Sequence, residues 1–172
     1  MMKIQIILED RRWSRFIRIP RIRAIAEELF SLVGELLGYG VAEGGANLEI
    51  AMVLSNDEKI RVLNRDHRNI DRPTNVLSFP TYEREFVKYL GQEKHMLLGD
   101  LVLSIDSLER ESIEQNMFFE EHLAHLILHS ILHLLGFDHS NDEDAEHMEK
   151  TEAVILHRFM VTQTNLKSDL WN

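Results

Sequence analysis

Three histidines stand close together in one short run of the sequence, His129-Ser130-Ile131-Leu132-His133-Leu134-Leu135-Gly136-Phe137-Asp138-His139. On a helix, residues four apart lie on one face about 6 Å from each other, so the imidazoles of His129 and His133 can reach a single ion. Gly136 favours a left-handed turn that ends the helix, and the chain then returns with His139 as a third ligand. The spacing predicts a metal site. The alternative is a helix that carries histidines on its surface.

The kind of metal follows from the available ligands. The chain has no cysteine, so disulfides and thiol catalysis are excluded and any metal takes nitrogen and oxygen ligands. Three imidazoles favour Zn²⁺, and three protein ligands leave a fourth position for water, as in catalytic rather than structural sites. We therefore expect one zinc ion per chain and a hydrolytic reaction.

Position 130 helps to decide which reaction this is. In metalloproteases with the pattern His-Glu-x-x-His, the residue after the first ligand is the general base. Ser130 stands there, and its hydroxyl is not a base near neutral pH. The spacing of the three histidines and Gly136 is shared with the metzincin proteases, so a zinc protease is an alternative that Ser130 disfavours. Asp138 is a candidate to orient His139 or to take a proton from water, and it could equally be an acid that packs the turn.

Two further residues near this chemistry have alternative interpretations. Arg68 precedes the stretch Arg72-Pro73-Thr74-Asn75, and an arginine there could hold a phosphate by two parallel hydrogen bonds or form a surface ion pair. His125 lies four residues before His129, but three successive helical ligands strain a tetrahedral site, so we place His125 beside the ligands or in the core. The remaining histidines are isolated and are expected on the surface: His67, His95, His122, His147 and His157.

The composition limits the overall organisation. A chain of 172 residues with 44% apolar and 28% charged residues is typical of one soluble globular domain, so residues 1–172 are expected to form a single domain. The apolar run after Lys3 is too short for a signal peptide or a membrane span. We expect a cytoplasmic protein with no membrane contact.

Charge is unevenly distributed along the chain. The net charge of −10 argues against a diffuse nucleic-acid-binding surface. The segment 11–23 nevertheless carries six arginines interleaved with Trp13 and Phe16, and it is either a surface for phosphates and bases or a solvated face. Acids are concentrated between Asp138 and Glu149, where they either raise metal affinity or form the polar first turn of a helix.

Hydrophobic periodicity predicts the elements that position these residues. Strands are expected at 3–8, 48–54, 74–79 and 99–105, and helices at 20–36, from the capping box Ser55/Glu58, from 106 or 107, at 118–135, and from Asn141 to about Phe159. A loop is expected at 81–96 and a frayed tail at 162–172. These elements do not alternate regularly, which predicts an α+β domain with one small mixed sheet of about four strands, about five helices, and the metal site at the end of a central helix.

With these motifs identified, the chain resembles the YbeY family of bacterial rRNA maturation factors from about 48 to 156. The histidine run is similar to the family pattern His-Gly-x-x-His-Leu-x-Gly-Tyr-Asp-His, and supporting similarity lies at 63–68, 71–80 and 98–100. Three positions depart from the family pattern: Ser130 replaces the usual Gly, Phe137 the usual Tyr, and Asn75 stands where many members have Asp.

The resemblance implies that His129, His133 and His139 are zinc ligands and that Arg68 matches the family arginine linked to nuclease activity. It implies a zinc-dependent, single-strand-specific endoribonuclease in ribosome biogenesis, which matures the 3′ end of small-subunit rRNA and acts in ribosome quality control. The implied partners are precursor rRNA and the ribosome or small-subunit assembly proteins. The alternative is a ribosome-associated assembly factor whose metal is mainly structural.

Overall fold

A computed structural model describes residues 2–38, 47–82 and 95–169 of the chain. In chain order the elements are β1 (Met2–Leu8), a 3₁₀ turn (Arg11–Arg15), α1 (Ile19–Leu37), β2 (Asn47–Ser55), α2 (Asp57–Arg68), β3 (Val76–Pro80), β4 (His95–Ser104), α3 (Ile105–Glu114), α4 (Phe119–Leu134) and α5 (Asp142–Asp169). The predicted α+β class, with one four-stranded mixed sheet and five helices, is confirmed.

The sheet has the strand order β1-β2-β4-β3. The strands β1, β2 and β4 are parallel, and β3 pairs with β4 antiparallel at the edge. Helix α4 packs against the sheet and against α1, α3 and α5, and it is apolar on nearly all sides because it is the buried centre of the fold. None of the helices in the described residues is long and apolar enough to cross a membrane.

Gly99 permits a close approach between the sheet and the end of α4. A β-carbon at this position would lie 2.1 Å from the Phe79 carbonyl oxygen and 2.9 Å from a methyl carbon of Leu134, and the glycine has a φ of 141°. The position adjoins a register shift between β2 and β4, where an irregular backbone is expected. Since Leu134 follows His133, this glycine lets the histidine-bearing end of α4 lie directly on β3 and β4.

Helix α2 begins differently from the predicted capping box. Asn56 is the N-cap residue, and its side-chain oxygen accepts a hydrogen bond from the Lys59 amide at 3.1 Å. The Ser55 hydroxyl instead donates to the Glu9 carboxylate at 2.8 Å. The prediction that Ser55 and Glu58 cap this helix was therefore wrong, because the buried Ser55 ends β2 and a neighbouring amide serves equally well as cap.

Helix α5 continues well past its predicted end at Phe159, through much of the segment 162–172 that the sequence predicts to fray. Tertiary contacts extend it. Gln163 is buried, accepts a hydrogen bond from Arg21 at 2.6 Å and donates one to Glu28 at 2.7 Å. Those contacts with α1 stabilise the last turns of a helix whose local sequence pattern is weak.

Two predicted segments fall partly outside the described residues. Strand β4 begins at His95, earlier than the predicted strand at 99–105. Most of the loop predicted at 81–96, namely 83–94, lies outside the described residues, as does the end of the tail at 170–172.

Candidate metal centre

The turn after α4 brings the third histidine of the run to the other two. Gly136 has a φ of 89°, the Phe137 amide donates to the Leu132 carbonyl at 3.0 Å, and the Gly136 amide donates to the His133 carbonyl at 3.0 Å. This is the hydrogen-bond pattern of a Schellman cap. It ends the helix as predicted and returns the chain, so that one ring nitrogen from each of the three histidines lies within 4.8 Å of the other two.

Hydrogen bonds fix the orientation of the two helical imidazoles. His129 Nδ1 lies 2.7 Å from Glu152 Oε1, and His133 Nδ1 lies 3.0 Å from the Phe137 carbonyl oxygen. A carboxylate and a carbonyl only accept hydrogen bonds, so each Nδ1 carries the proton and each Nε2 presents a lone pair. The two Nε2 atoms face each other at 3.0 Å, an unfavourable arrangement unless a cation or a proton lies between them.

This donor set fits a zinc ion. Two nitrogens that each bind one tetrahedral zinc at about 2.0 Å lie roughly 3.3 Å apart, close to the observed separation of the two Nε2 atoms. His139 stands on the open side, with its ring centroid 5.0 Å from that of His133 and 6.0 Å from that of His129. The cluster can hold a metal with three nitrogens and remain accessible from one side.

The protonation states also suit a cation. Burial, together with the neighbouring imidazole of His129, lowers the pKa of His133 to about 4, so this ring is neutral near pH 7. Burial alone raises the pKa of Glu152, but the neighbouring imidazoles of His125 and His129 outweigh that effect and lower the pKa to about 2. The cluster therefore combines a neutral ligand with an ionised acceptor, as metal binding requires.

The cluster opens onto a cavity of about 680 Å³. The cavity is bounded by the C-terminal ends of α2 and α4 and by β3 with the residues around it, and its lining is Arg68, Thr74, Asn75, Val76, Ser78, Pro80, Tyr82, His129, His133, Gly136, Phe137, Asp138 and His139. Arg68 and the three histidines, separated by about sixty positions in the sequence, thus face one space. Such a space can admit an extended anionic ligand between the arginine and the histidines.

Arg68 is the last residue of α2 and is exposed. Among the described residues it forms no ion pair, whereas Arg61 on the same helix pairs with Asp71 at 2.8 Å. The structure therefore does not show the surface ion pair that was the alternative interpretation of Arg68. Arg68 lines the cavity, and no carboxylate in the described part of the chain pairs with its guanidinium.

Asp138 lies beside the third histidine. Its Oδ1 accepts a hydrogen bond from the His139 amide at 2.8 Å, which holds the backbone that presents the His139 ring. Ser130, in contrast, is fully buried and does not line the cavity. The residue that would be the catalytic base in a metalloprotease points away from the cluster.

Glu152 is a residue of the site that the sequence analysis did not identify. It lies on α5 and touches His129, while its other oxygen, Oε2, lies 3.7 Å from His125 Nε2. His125 is therefore beside the cluster, one carboxylate away from His129. The need for such a residue could have been predicted, because an imidazole that binds a metal through one nitrogen requires a hydrogen-bond acceptor for the other. Only the packing of α5 on α4 shows which acid supplies it.

His122 was predicted on the surface, and that prediction was wrong. It is buried, with Nε2 at 2.9 Å from Glu111 Oε2, because α3, which carries Glu111, packs against this side of α4. The same Glu111 oxygen accepts a hydrogen bond from Asn75 Nδ2 at 2.8 Å, so the amide at position 75 suits its acidic neighbour. The other four isolated histidines are exposed as expected: His67, His95, His147 and His157.

The acidic stretch after the histidines forms the start of α5. Asp142, Glu143 and Asp144 occupy its first turn, and the Asp144 amide donates to the Asn141 side chain at 2.9 Å. Within the described ranges, the three histidines are the one group of histidine and acidic side chains close enough to share a metal ion. Three of these acids thus form the polar first turn of a helix, one of the two predicted roles.

Comparisons with known proteins point to one family. A family model described as endoribonuclease YbeY matches residues 9–160. A protein of Bradyrhizobium diazoefficiens named endoribonuclease YbeY is 41% identical over 139 residues, which cover 81% of this chain and 73% of that protein. The solution structure of TM1509 from Thermotoga maritima covers 98% of this chain and 95% of its own with a TM-score of 0.57, and at 23% identity it supports the fold alone.

Proposed function

The chain belongs to the YbeY family of endoribonucleases, and from that membership and the geometry of the histidine cluster we propose a zinc-dependent, single-strand-specific endoribonuclease. The observation that carries the metal dependence is the pair of Nε2 atoms at 3.0 Å, each on an imidazole whose Nδ1 is already bonded to an acceptor. His129, His133 and His139 are the proposed ligands. A zinc ion held by them would supply Lewis-acid chemistry, polarising a phosphate oxygen and lowering the pKa of a bound water.

Arg68 is the proposed phosphate-binding residue. It lines the same cavity as the histidines and has a guanidinium that no described carboxylate neutralises. A planar guanidinium can hold a phosphodiester through two parallel hydrogen bonds and can neutralise the charge that develops during cleavage. Asp138 is proposed to orient His139 through the backbone amide, and its carboxylate is also proposed to accept a proton from water.

A protease is not supported. The position of the metalloprotease base holds Ser130, which is buried away from the cavity. No other observation favours peptide cleavage over RNA cleavage, and the names of the matched family and relative specify an endoribonuclease.

The cellular role is proposed from the family resemblance. We place the activity in rRNA processing within ribosome biogenesis, including maturation of the 3′ end of small-subunit rRNA, and in ribosome quality control. The proposed partners are precursor rRNA and the ribosome or small-subunit assembly proteins, and the proposed location is the cytoplasm. An overall charge of −10 favours substrate binding that is confined to the cavity rather than spread over the surface.

The test is cleavage by purified protein of single-stranded and duplex oligonucleotides from the small-subunit rRNA 3′ region, with and without a chelator. We expect about one zinc per chain by elemental analysis and chelator-sensitive cleavage of the single strand. His133→Ala, purified identically, should lose both zinc and cleavage, which controls for contaminating nuclease. Zinc binding without any RNA cleavage by the wild type would favour the alternative of an assembly factor with a structural metal.

A further inference from the structure

One carboxylate on α5 is hydrogen-bonded to one imidazole of α4 and lies close to a second. Glu152 Oε1 lies 2.7 Å from His129 Nδ1 and Oε2 lies 3.7 Å from His125 Nε2. The carboxylate is only 12% exposed, so its hydrogen bonds are shielded from competing water. The other helical histidine differs in this respect, since His133 Nδ1 lies 3.0 Å from the neutral carbonyl oxygen of Phe137.

We infer that Glu152 is the positioning residue of the metal centre: it fixes the tautomer and orientation of His129, so that Nε2 is always presented to the metal. The inference rests on the proposed metal function. A free imidazole exchanges its proton between the two nitrogens and rotates about its side-chain bonds. Acceptance of the Nδ1 proton by a buried carboxylate removes both freedoms and makes Nε2 a stronger donor.

The location of Glu152 gives this contact a second consequence. His129 lies on α4 and Glu152 on α5, so the hydrogen bond joins two helices across the metal site. His125, one turn before His129, approaches the other carboxylate oxygen and restricts rotation of the carboxylate. The orientation of the His129 imidazole therefore depends on how α5 packs, because Glu152 lies on that helix, 23 residues further along the chain.

The experiment compares zinc affinity in the wild type, Glu152→Ala, Glu152→Gln and Glu149→Gln by competition with a chromophoric chelator. Loss of such a partner typically weakens metal binding by about 10- to 100-fold, and we expect that loss in Glu152→Ala. Glu152→Gln retains an oxygen that can accept the Nδ1 proton but lacks the charge, so we expect partial rescue. Glu149→Gln removes the same charge from an exposed position one turn earlier on α5 and should leave affinity within about twofold.

A spectroscopic measurement separates positioning from a general structural effect. In proton–nitrogen spectra of the zinc-loaded wild type, His129 should show a slowly exchanging Nδ1 proton, which Glu152→Gln should retain in weakened form and Glu152→Ala should lose. The absorption spectrum of Co²⁺ in place of zinc should change in Glu152→Ala and stay constant in Glu149→Gln. Melting temperatures of the metal-free proteins show which variants are folded.

The inference would be overturned if folded Glu152→Ala kept the zinc affinity and the His129 Nδ1 signal of the wild type. If the alanine variant unfolds, the same result in Glu152→Gln would overturn it. Equal losses in Glu152→Gln and Glu149→Gln would also overturn it, because then only net charge matters. If the Glu152 variants weaken zinc binding but no protein cleaves RNA, the proposed endoribonuclease fails and the positioning role stands. A wild type that binds no zinc overturns both.

Discussion

The two ends of helix α4 have different chemistry. At the N-terminal end, Phe119 stacks on Phe16 with ring centroids 4.7 Å apart and meets Trp13 edge-on at 6.0 Å. At the C-terminal end, His129 and His133 face a large cavity. Both ends adjoin arginines, so the helix offers an internal comparison between charged groups that hold the fold and charged groups that serve a ligand.

Around the N-terminal end, three of the six arginines of the segment 11–23 bind acceptors within the protein itself. Arg12 binds Asp10 at 2.8 Å and Asp106 at 2.5 Å. Arg21 binds Glu120, and Arg23 donates to the Ile4 carbonyl. Half of the arginine-rich segment thus joins the segment to the sheet and helices, an outcome that neither sequence-based interpretation of this segment anticipated.

Around the C-terminal end, the two helical histidines have hydrogen-bond acceptors at Nδ1 but not at Nε2 among the described residues. The Nδ1 atoms of His129 and His133 have acceptors while their Nε2 atoms face each other, and Arg68 has no described acidic partner. A buried polar group without a partner is costly unless a ligand satisfies it. The comparison teaches that incomplete pairing, rather than the mere presence of arginine or histidine, distinguishes the site from the scaffold.

The largest effect should come from Arg68. Arg68→Ala should lower RNA cleavage on the order of a hundredfold, because an electrostatic donor to the transition state is lost. Zinc content should be unchanged, and stability should change by about 1 kcal/mol or less because the side chain is exposed. Arg68→Lys should restore only part of the rate, since an ammonium lacks the planar two-pronged contact.

The matched control for that experiment is Arg61→Ala, on the same helix but paired with Asp71. Its cleavage rate should equal that of the wild type. Single-turnover rates, elemental analysis and melting temperatures of the four proteins check the prediction. An unchanged rate in Arg68→Ala would remove this arginine from the mechanism and would weaken the contrast between the two ends.

Arg12→Ala should show the opposite behaviour. It leaves Asp10, whose carboxylate is 12% exposed, without its cation, so we expect the free energy of unfolding to fall by about 1–3 kcal/mol. Cleavage at a temperature where the variant is folded should not change. Urea denaturation measures the first effect, and Arg15→Ala, an exposed arginine of the same 3₁₀ turn, is the control with little effect. A tenfold loss of cleavage in either folded variant would show that this segment binds RNA.

A smaller effect should appear in the pH dependence of stability. Hydrogen bonds from Arg12 hold the pKa values of Asp10 and Asp106 below the usual value for aspartate. A carboxylate with a depressed folded pKa contributes stability above its unfolded pKa, about 3.9, and that contribution is lost as the pH falls through the folded value. The difference in unfolding free energy between wild type and Arg12→Ala should therefore be constant above about pH 5 and shrink below about pH 4. A difference that grows on acidification would contradict this assignment.

Local patterns sufficed for the fold class and for the histidine cluster, because helix spacing and the Gly136 turn are properties of adjacent residues. The place of Arg68 in the cavity and the contacts of Glu152 depend on how separate elements pack, and no local pattern specifies which acid lies 2.7 Å from His129. The prediction that His122 is exposed was wrong for the same reason. A lone histidine on a helix is exposed only if no other element packs against that side of the helix. Helix α5 is longer than its hydrophobic pattern predicts, because Gln163 is hydrogen-bonded to residues of α1.

The smallest effect concerns Ser130, at the position that holds the base in metalloproteases. Its side chain is fully buried, and in the described part of the chain its hydroxyl has no hydrogen-bond partner. Ser130→Ala removes a desolvated hydroxyl, so stability should stay equal or rise by up to about 1 kcal/mol, with zinc content and RNA cleavage unchanged. Ser130→Glu should destabilise strongly and confer no peptidase activity, because a carboxylate would be forced into the core. Denaturant titration, cleavage assays and a casein-degradation assay measure these outcomes. A tenfold loss of RNA cleavage in Ser130→Ala, with unchanged zinc content, would contradict this prediction. It would show that the buried Ser130 hydroxyl takes part in the reaction.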